Sequence, residues 1–451
     1  MHVIIVGGGR VGRELAANLA SKQQTVAVVE KDPEIAKKLK KKLDVLVVND
    51  DGANMATLEK AGIRKAGIFI AVTQVDELNL MTCMMADRAK VPVTIARVRN
   101  PESHSNIADT GFSKDEIGVD YIINPERELA LDISKSIHYP DAAEIEYFAG
   151  GKVMMVAATV TEEAEITGYN LKEMPLPQGC IIVGIKKADG TFIVPSGDDT
   201  VKVNDKVYMV GNAKIMRKAS WLLHHQETMV KKILILGGGA VGYTLASILE
   251  SNPERKFQVK LVEIDEAKCE ELNRQLSKTM ILHGNYSELS YFNQEEIAET
   301  DALIPVTGDD RSNIVASIMG KELGVKKVIP ELGVNEYGSV YRTVGIGNYV
   351  NSHLITAYKI LRFTKKGDVL ALSHLKEDEA EMLELVIPKN CRAASKKVKD
   401  AGFPRGMLIG TIVRGEEIIV PYGETELKPG DNLIIFTLTS VSKKVESFFC
   451  Q

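Results

Sequence analysis

The chain has 451 residues with a formal net charge of −5, and 45% of them are hydrophobic. That apolar share supports several buried cores at roughly 150 residues per domain, and the balance of charges excludes a basic nucleic-acid binder. Five scattered cysteines (Cys83, Cys180, Cys269, Cys391 and Cys450) without a C-x-x-C pair argue against a metal centre or a disulfide framework and fit a reducing cytoplasm.

The chain opens on a core strand, Val3–Val6, rather than a leader peptide, and no apolar run reaches the roughly 18 residues that span a bilayer. Gly7, Gly9 and Gly12 follow in the pattern G-x-G-x-x-G, with Gly8 inside it, and ELAANLAS continues at helical spacing. Gly7 permits a tight turn, Gly9 lets the backbone approach a diphosphate, and Gly12 lets helix and strand pack closely. The helix N-terminus then presents unpaired N–H groups to phosphates. A second strand, Thr25–Glu30, ends in an acid placed to accept from adenosine ribose hydroxyls and to repel a 2′-phosphate. The run Lys37–Lys42 reads as the solvated face of the next helix. Strands Val45–Val48, Ile68–Thr73, Thr94–Val98 and Tyr121–Ile123 alternate with helices, which predicts a doubly wound, Rossmann-like parallel sheet in an α/β fold. Helix Pro125–His138 follows, with Asn124 as its cap and Pro125 in its first turn.

The plan then repeats. Gly237, Gly239 and Gly242, with Gly238 among them, follow the strand Ile233–Leu236, and Glu263 ends the next strand as Glu30 does in the first half. Asp51-Gly52 matches Asn285-Tyr286, Val72-Thr73 matches Val306-Thr307, and Asn79 matches Asn313. The segments Gly179–Gly211 and Gly406–Thr437 also match, with Pro195, Gly197 and Asp205 answering to Pro421, Gly423 and Asp431. Their short alternating strands and tight turns predict small β-rich modules with one or two helices. The expected organisation is a nucleotide fold over 1–140, a small module over 141–225, a second nucleotide fold over 230–367 and a second module over 368–451. His224 and His225 read as exposed linker residues rather than metal ligands.

Ligands of such sheets bind at the carboxyl ends of the strands, at the switch in strand order. In the first half these ends carry Glu30, Asp51, Val72, Thr73 and Arg97. Asp51 is placed for adenine or ribose, and Val72-Thr73 for the diphosphate or the far nucleoside. Arg10, inside the glycine turn, and Arg97 are candidate phosphate clamps. The second half has Ala240 in place of Arg10 and Glu331 in place of Arg97, which predicts tighter nucleotide binding by the first half. An NAD-dependent oxidoreductase is the alternative, but the small modules offer no cysteine–histidine pair and no clustered catalytic acids. Asp76, Glu77 and Asn79 read as the start of a helix. Two nucleotide folds with two small modules point to a sensor whose domains move.

GGGRVG, the acidic strand end at Glu30, AVTQVDELNLMTC, TIARVRNP and DYIINPE resemble the RCK, or KTN, nucleotide-binding domains of potassium channels and transporters. The duplicated arrangement is similar to the peripheral regulatory subunits of the bacterial and archaeal Trk potassium-uptake system. This resemblance implies NAD(H) binding, with ATP or ADP as further effectors. It also implies a homo-oligomeric ring, a tetramer, on the inner face of the membrane, beneath a potassium-conducting subunit of the TrkH or TrkG type. Carried over to this sequence, the nucleotide contacts fall on Gly7, Gly8, Gly9, Arg10, Val11, Gly12, Glu30, Asp51, Val72, Thr73 and Arg97. In the second half they fall on Gly237, Gly238, Gly239, Ala240, Val241, Gly242, Glu263, Val306 and Thr307. The chain departs from the family pattern after the third strand, where Gly-Asp becomes Asp50-Asp51 in the first half and Gly284-Asn285 in the second.

Overall fold

The computed structural model describes residues 1–21, 23–99, 118–139, 142–222, 230–252, 256–285, 297, 299–346, 348–361, 363, 369–374 and 379–449. His224, His225, Tyr286 and Cys450 lie outside them. The chain forms two compact units, Met1–Ser134 with Lys231–Thr364, and Lys135–Val230 with Lys365–Gln451. Each unit therefore contains both copies of one part of the repeat.

In the first unit, strands β1 (His2–Val6), β2 (Thr25–Val29), β3 (Leu46–Val48), β4 (Ile68–Ala71), β5 (Val93–Arg97) and β6 (Tyr121–Ile123) form a parallel sheet. The order is β3-β2-β1-β4-β5-β6, so the sequence in which strands are added reverses between β1 and β4. Its strands are apolar on both faces because helices cover both. Val3 and Ile5 pack with Leu15 and Val28 on one side, and Ile4 and Val6 pack with Leu58 and Phe69 on the other. Helices α1 (Arg10–Ser21), α2 (Pro33–Lys42), α3 (Met55–Lys60) and α4 (Asp76–Arg88) make the crossovers. The lysines of α2 are exposed while Leu39 is buried, and three of them occupy its last turn, where cations suit the helix dipole. Helix Pro125–His138 has the predicted bounds, and Asn124 Oδ1 accepts from Arg127 N at 2.8 Å.

The second sheet of this unit runs in the order Met280–His283, Gln258–Glu263, Lys232–Leu236, Ala302–Pro305, Lys327–Val328. Its fifth strand stops short at Pro330, which has no N–H to continue a ladder. Glu331–Leu332 then pairs with Val350–Asn351 in a separate ribbon. The helix that answers to Pro125–His138 in this half spans Ser352–Leu361 and is capped by Asn351. It buries Ala357, Ile360 and Leu361 in the core of the first fold, so the two nucleotide folds share hydrophobic interior.

The second unit contains two five-stranded sheets and the short helices Ala213–Trp221 and Ser442–Phe449. Their strands pair antiparallel, as the turn-rich sequence predicts. Val183, Tyr208 and Val210 of one sheet pack with Ile434 and Phe436 of the other. Gly184 makes room for this: a Cβ there would lie 2.4 Å from Phe436 Cζ. The four described cysteines are free and buried.

Candidate functional site

The first glycine turn opens where the strand order reverses. Gly7 has φ +103°, and a Cβ on it would sit 3.0 Å from Thr73 N, so the turn needs glycine for both conformation and space. A Cβ on Gly12 would fall 1.9 Å from Gly7 O, and one on Gly8 would fall 2.5 Å from Leu39 Cδ1. Gly9 differs, since a Cβ there would meet nothing within 4 Å. The turn is therefore closed against the protein at three glycines and open at the fourth, the one assigned to a diphosphate. Val11 is buried behind it in α1. The second half repeats this geometry: Gly237 has φ +104°, Gly238 and Gly242 are similarly crowded, and Gly239 is open.

Glu30 lies just past β2 and is nearly buried. Its Oε2 accepts from Gly8 N at 2.6 Å and its Oε1 from Asp32 N at 2.7 Å. Each carboxylate oxygen has a second lone pair available for a ribose hydroxyl. Glu263 is held more tightly, its Oε2 accepting from Gly238 N at 2.8 Å and its Oε1 from both Ile264 N and Asp265 N at 2.7 and 3.0 Å. Asp51 projects beyond β3, where it accepts from Ala53 N at 3.0 Å and pairs with Lys31 Nζ at 2.9 Å. Hydrogen bonding from Ala53 and Lys31 holds its pKa below the usual carboxylate value.

Val72 and Thr73 lie beyond the end of β4 and flank the turn. Both polar groups of Thr73 are already engaged, with N and Oγ1 donating to Asn79 Oδ1 at 2.9 and 2.7 Å. Thr73 is thus a wall of the cleft whose donors point into the protein. Val306 and Thr307 repeat the arrangement around Asn313. By sequence Asp76 and Asn79 read as ordinary helix-start residues. In the structure Asp76 accepts from Arg99 N at 2.8 Å, and Asn79 donates to Arg97 O at 2.8 Å. The repeat was the available signal, because Asn79 and Asn313 already matched in it.

Arg10 and Arg97 line a cavity of about 230 Å³ between the two nucleotide folds. Arg99 and Glu126 from the first fold share it with Val241, Gly308, Asp310, Glu331 and His353 from the second. Arg10 leads across the boundary: its Nη1 donates to Gly333 O at 3.3 Å and lies 3.5 Å from His353 Nε2. Arg97 is buried, its Nε has no hydrogen-bond partner among the described residues, and burial pushes its pKa down. Counting cations half by half therefore misses a feature of the assembled unit. The second glycine turn, through Val241, opens onto a cavity that carries three arginines of the first half, although Ala240 and Glu331 supply none. Charge is nonetheless sorted within it. Burial and the arginines 10, 97, 99 and 13 hold His353 down to about 4, whereas burial and the carboxylates of Asp310 and Glu126 push Glu331 up to about 6. A cavity lined by three arginines, one of them with a buried Nε that has no partner among the described residues, suits an anion such as a diphosphate. Among the described residues no cluster of histidine, cysteine and acid side chains fits a metal ion.

The TrkA-N domain family matches residues 3–125 and 233–352, and the TrkA-C domain family matches 155–223 and 382–449. The Trk system potassium uptake protein TrkA homolog 1 of Methanosarcina mazei is 32% identical over 456 residues, covering 100% of both chains. The Trk system potassium uptake protein TrkA of Halomonas elongata is 28% identical, covering 97% of this chain and 96% of its own. Among solved structures, the GsuK RCK domain superposes with TM-score 0.61 at 18% identity, covering 99% of this chain and 94% of that one. The GsuK channel bound to NAD gives 0.63 at 17%, covering 99% and 78%. With both domain types matched twice and a relative aligned end to end, the chain belongs to the TrkA family of Trk potassium-uptake proteins.

Proposed function

We propose that this chain is a nucleotide-sensing regulatory subunit that controls a membrane potassium-conducting partner of the TrkH or TrkG type. The carrying observation is the pair of glycine turns, each with one open glycine and a carboxylate locked beside it, meeting at a shared charged cavity. Support for the ligand class comes from the GsuK channel, whose structures are described as bound to NAD and to ADP. In the first cleft Gly7–Gly12 face the diphosphate, Glu30 and Asp51 face the adenosine, and Arg10 and Arg97 meet the phosphates. In the second cleft Gly237–Gly242, Glu263, Val306 and Thr307 take the corresponding places. NAD(H) is the expected occupant, with ATP or ADP as competing effectors. The relatives are named for potassium uptake rather than for an oxidation, so the oxidoreductase alternative is set aside.

Regulation follows from the shared cavity. A ligand that binds differently when the two folds open or close shifts that equilibrium, and a coupling of about 1–3 kcal/mol suffices to modulate a partner. We place the chain in a homo-oligomeric ring, a tetramer, on the cytoplasmic face of the membrane. In this reading contact with the membrane runs through the partner; none of the described helices is long and apolar enough to cross a bilayer. Calorimetric titration of the full chain with NADH, NAD, ATP and ADP tests the reading. Saturable binding without consumption of NADH is expected, and no heat from any of the four, or steady NADH oxidation, would overturn it.

A further inference from the structure

We propose that Asn79 is a positioning residue that ties the first nucleotide cleft to the charged cavity between the folds, acting through Arg97. This rests on the reading of the cleft as a nucleotide site. Asn79 is fully buried in the first turns of α4, and its amide is saturated by neighbours on two strand ends. Oδ1 accepts from Thr73 N and Oγ1, while Nδ2 donates to Thr73 O at 3.1 Å and Arg97 O at 2.8 Å. Thr73 in turn touches the glycine turn, since Gly7 leaves no space for a Cβ against it. Arg97 sends its side chain into the cavity. One amide therefore fixes the wall of the cleft and the root of a cavity arginine in a single geometry.

Asp76, three residues earlier on α4, accepts from Arg99 N at 2.8 Å, so the helix start grips Arg97, at the end of β5, and Arg99, two residues beyond it, by their backbone. The second fold builds the same grip: Asn313 accepts from Thr307 N at 3.1 Å and donates to Glu331 O at 3.2 Å, and Asp310 accepts from Gly333 N at 2.6 Å. The device is thus repeated with Glu331 and Gly333 where the first fold has Arg97 and Arg99. Because the grip falls on carbonyl and amide groups, it sets where the side chain starts and leaves its chemistry open.

A double-mutant cycle on the full chain, read by calorimetric titration with ATP and NADH, tests the assignment. Asn79→Ser removes the reach to Arg97 O and should weaken the tighter-binding nucleotide by about threefold or more, as expected for coupled neighbours. Arg97→Ala should weaken it too, and the double variant should be no weaker than Arg97→Ala alone. Additive losses, an Asn79→Ser affinity equal to wild type, or a loss in Asn79→Ser with none in Arg97→Ala would each overturn the proposal while leaving the cleft intact. Should Asn79→Ser not fold, the isosteric Asn79→Asp, which keeps the acceptor for Thr73, completes the same cycle. Wild-type protein that bound neither nucleotide would overturn the cleft and this proposal together.

Discussion

Replacing Glu331 by glutamine should stabilise the first unit at pH 8 and leave it nearly unchanged near pH 4. Burial first, then Asp310 and Glu126, raise the pKa of Glu331 from 4.5 to about 6, against a lowering hydrogen bond from Ser352. An acid whose folded pKa exceeds its unfolded value holds its proton more tightly when folded. Its destabilising effect is therefore absent below about 4.5, grows between 4.5 and 6, and is complete above 6. That interval corresponds to about 2 kcal/mol. At roughly 2–4 °C per kcal/mol for a large domain, scanning calorimetry should find the glutamine variant about 4–8 °C more stable at pH 8, with the gap closing on acidification. His353 works in the opposite sense. Its pKa is held down from 6.5 to about 4, chiefly by burial and then by the surrounding arginines. A base with a lowered folded pKa confers stability above pH 6.5 that is lost as the pH falls toward 4. In the wild type the two effects oppose one another across the same acid range. The glutamine variant retains only the second, so its melting temperature should fall more steeply in acid. A gap of zero at pH 8, or one that widens toward pH 4, would refute the reasoning.

The glycine turn yields a contrasting pair. Gly12→Ala, whose Cβ would meet Gly7 O at 1.9 Å, should lower the melting temperature markedly, at a cost of about 3 kcal/mol or more. Gly9→Ala, whose Cβ meets nothing within 4 Å, should melt like wild type yet bind nucleotide more weakly by calorimetry. Arg10→Ala should weaken ATP more than NAD, and equal losses for both would count against a role for Arg10 at the terminal phosphate. The four described cysteines are buried, and burial raises the thiol pKa of Cys83 and carries that of Cys180 to about 11, so a thiolate-selective reagent should label them only on unfolding.

Most of the first fold was legible because its strands are buried on both faces and its turn is steric. Continuous apolar runs mark β1, β2 and β4, and the spacing of Gly7, Gly9 and Gly12 marks where backbone meets backbone. The duplication was legible for the same reason, since turn glycines and strand-end acids tolerate few substitutes. The strand ends were less so: β4 stops at Ala71, and Thr73 belongs to the lip of the cleft because Asn79 takes its donors. What sequence could not supply was the neighbourhood created by packing one half on the other. Arg10 belongs to the first glycine turn by sequence, yet its guanidinium meets Gly333 and His353 of the second fold. No periodicity within either half encodes that contact.

The two folds differ more in chemistry than in framework, and the grip of α4 on the fifth strand shows why. Asn79 and Asn313 bond to carbonyls, which every residue presents, and Asp76 and Asp310 bond to amides, which every residue except proline presents. An arginine or a glutamate can therefore stand at the same strand end without altering the hydrogen bonds that hold it. The same holds at the open glycines, where Arg10 and Ala240 each begin a helix after an identical turn. Charge can thus be rewritten in the cavity while the clefts keep their shape. A duplicated fold built in this way can make its two sites unequal without weakening either core, and unequal sites facing one cavity are what a sensor of competing anions requires.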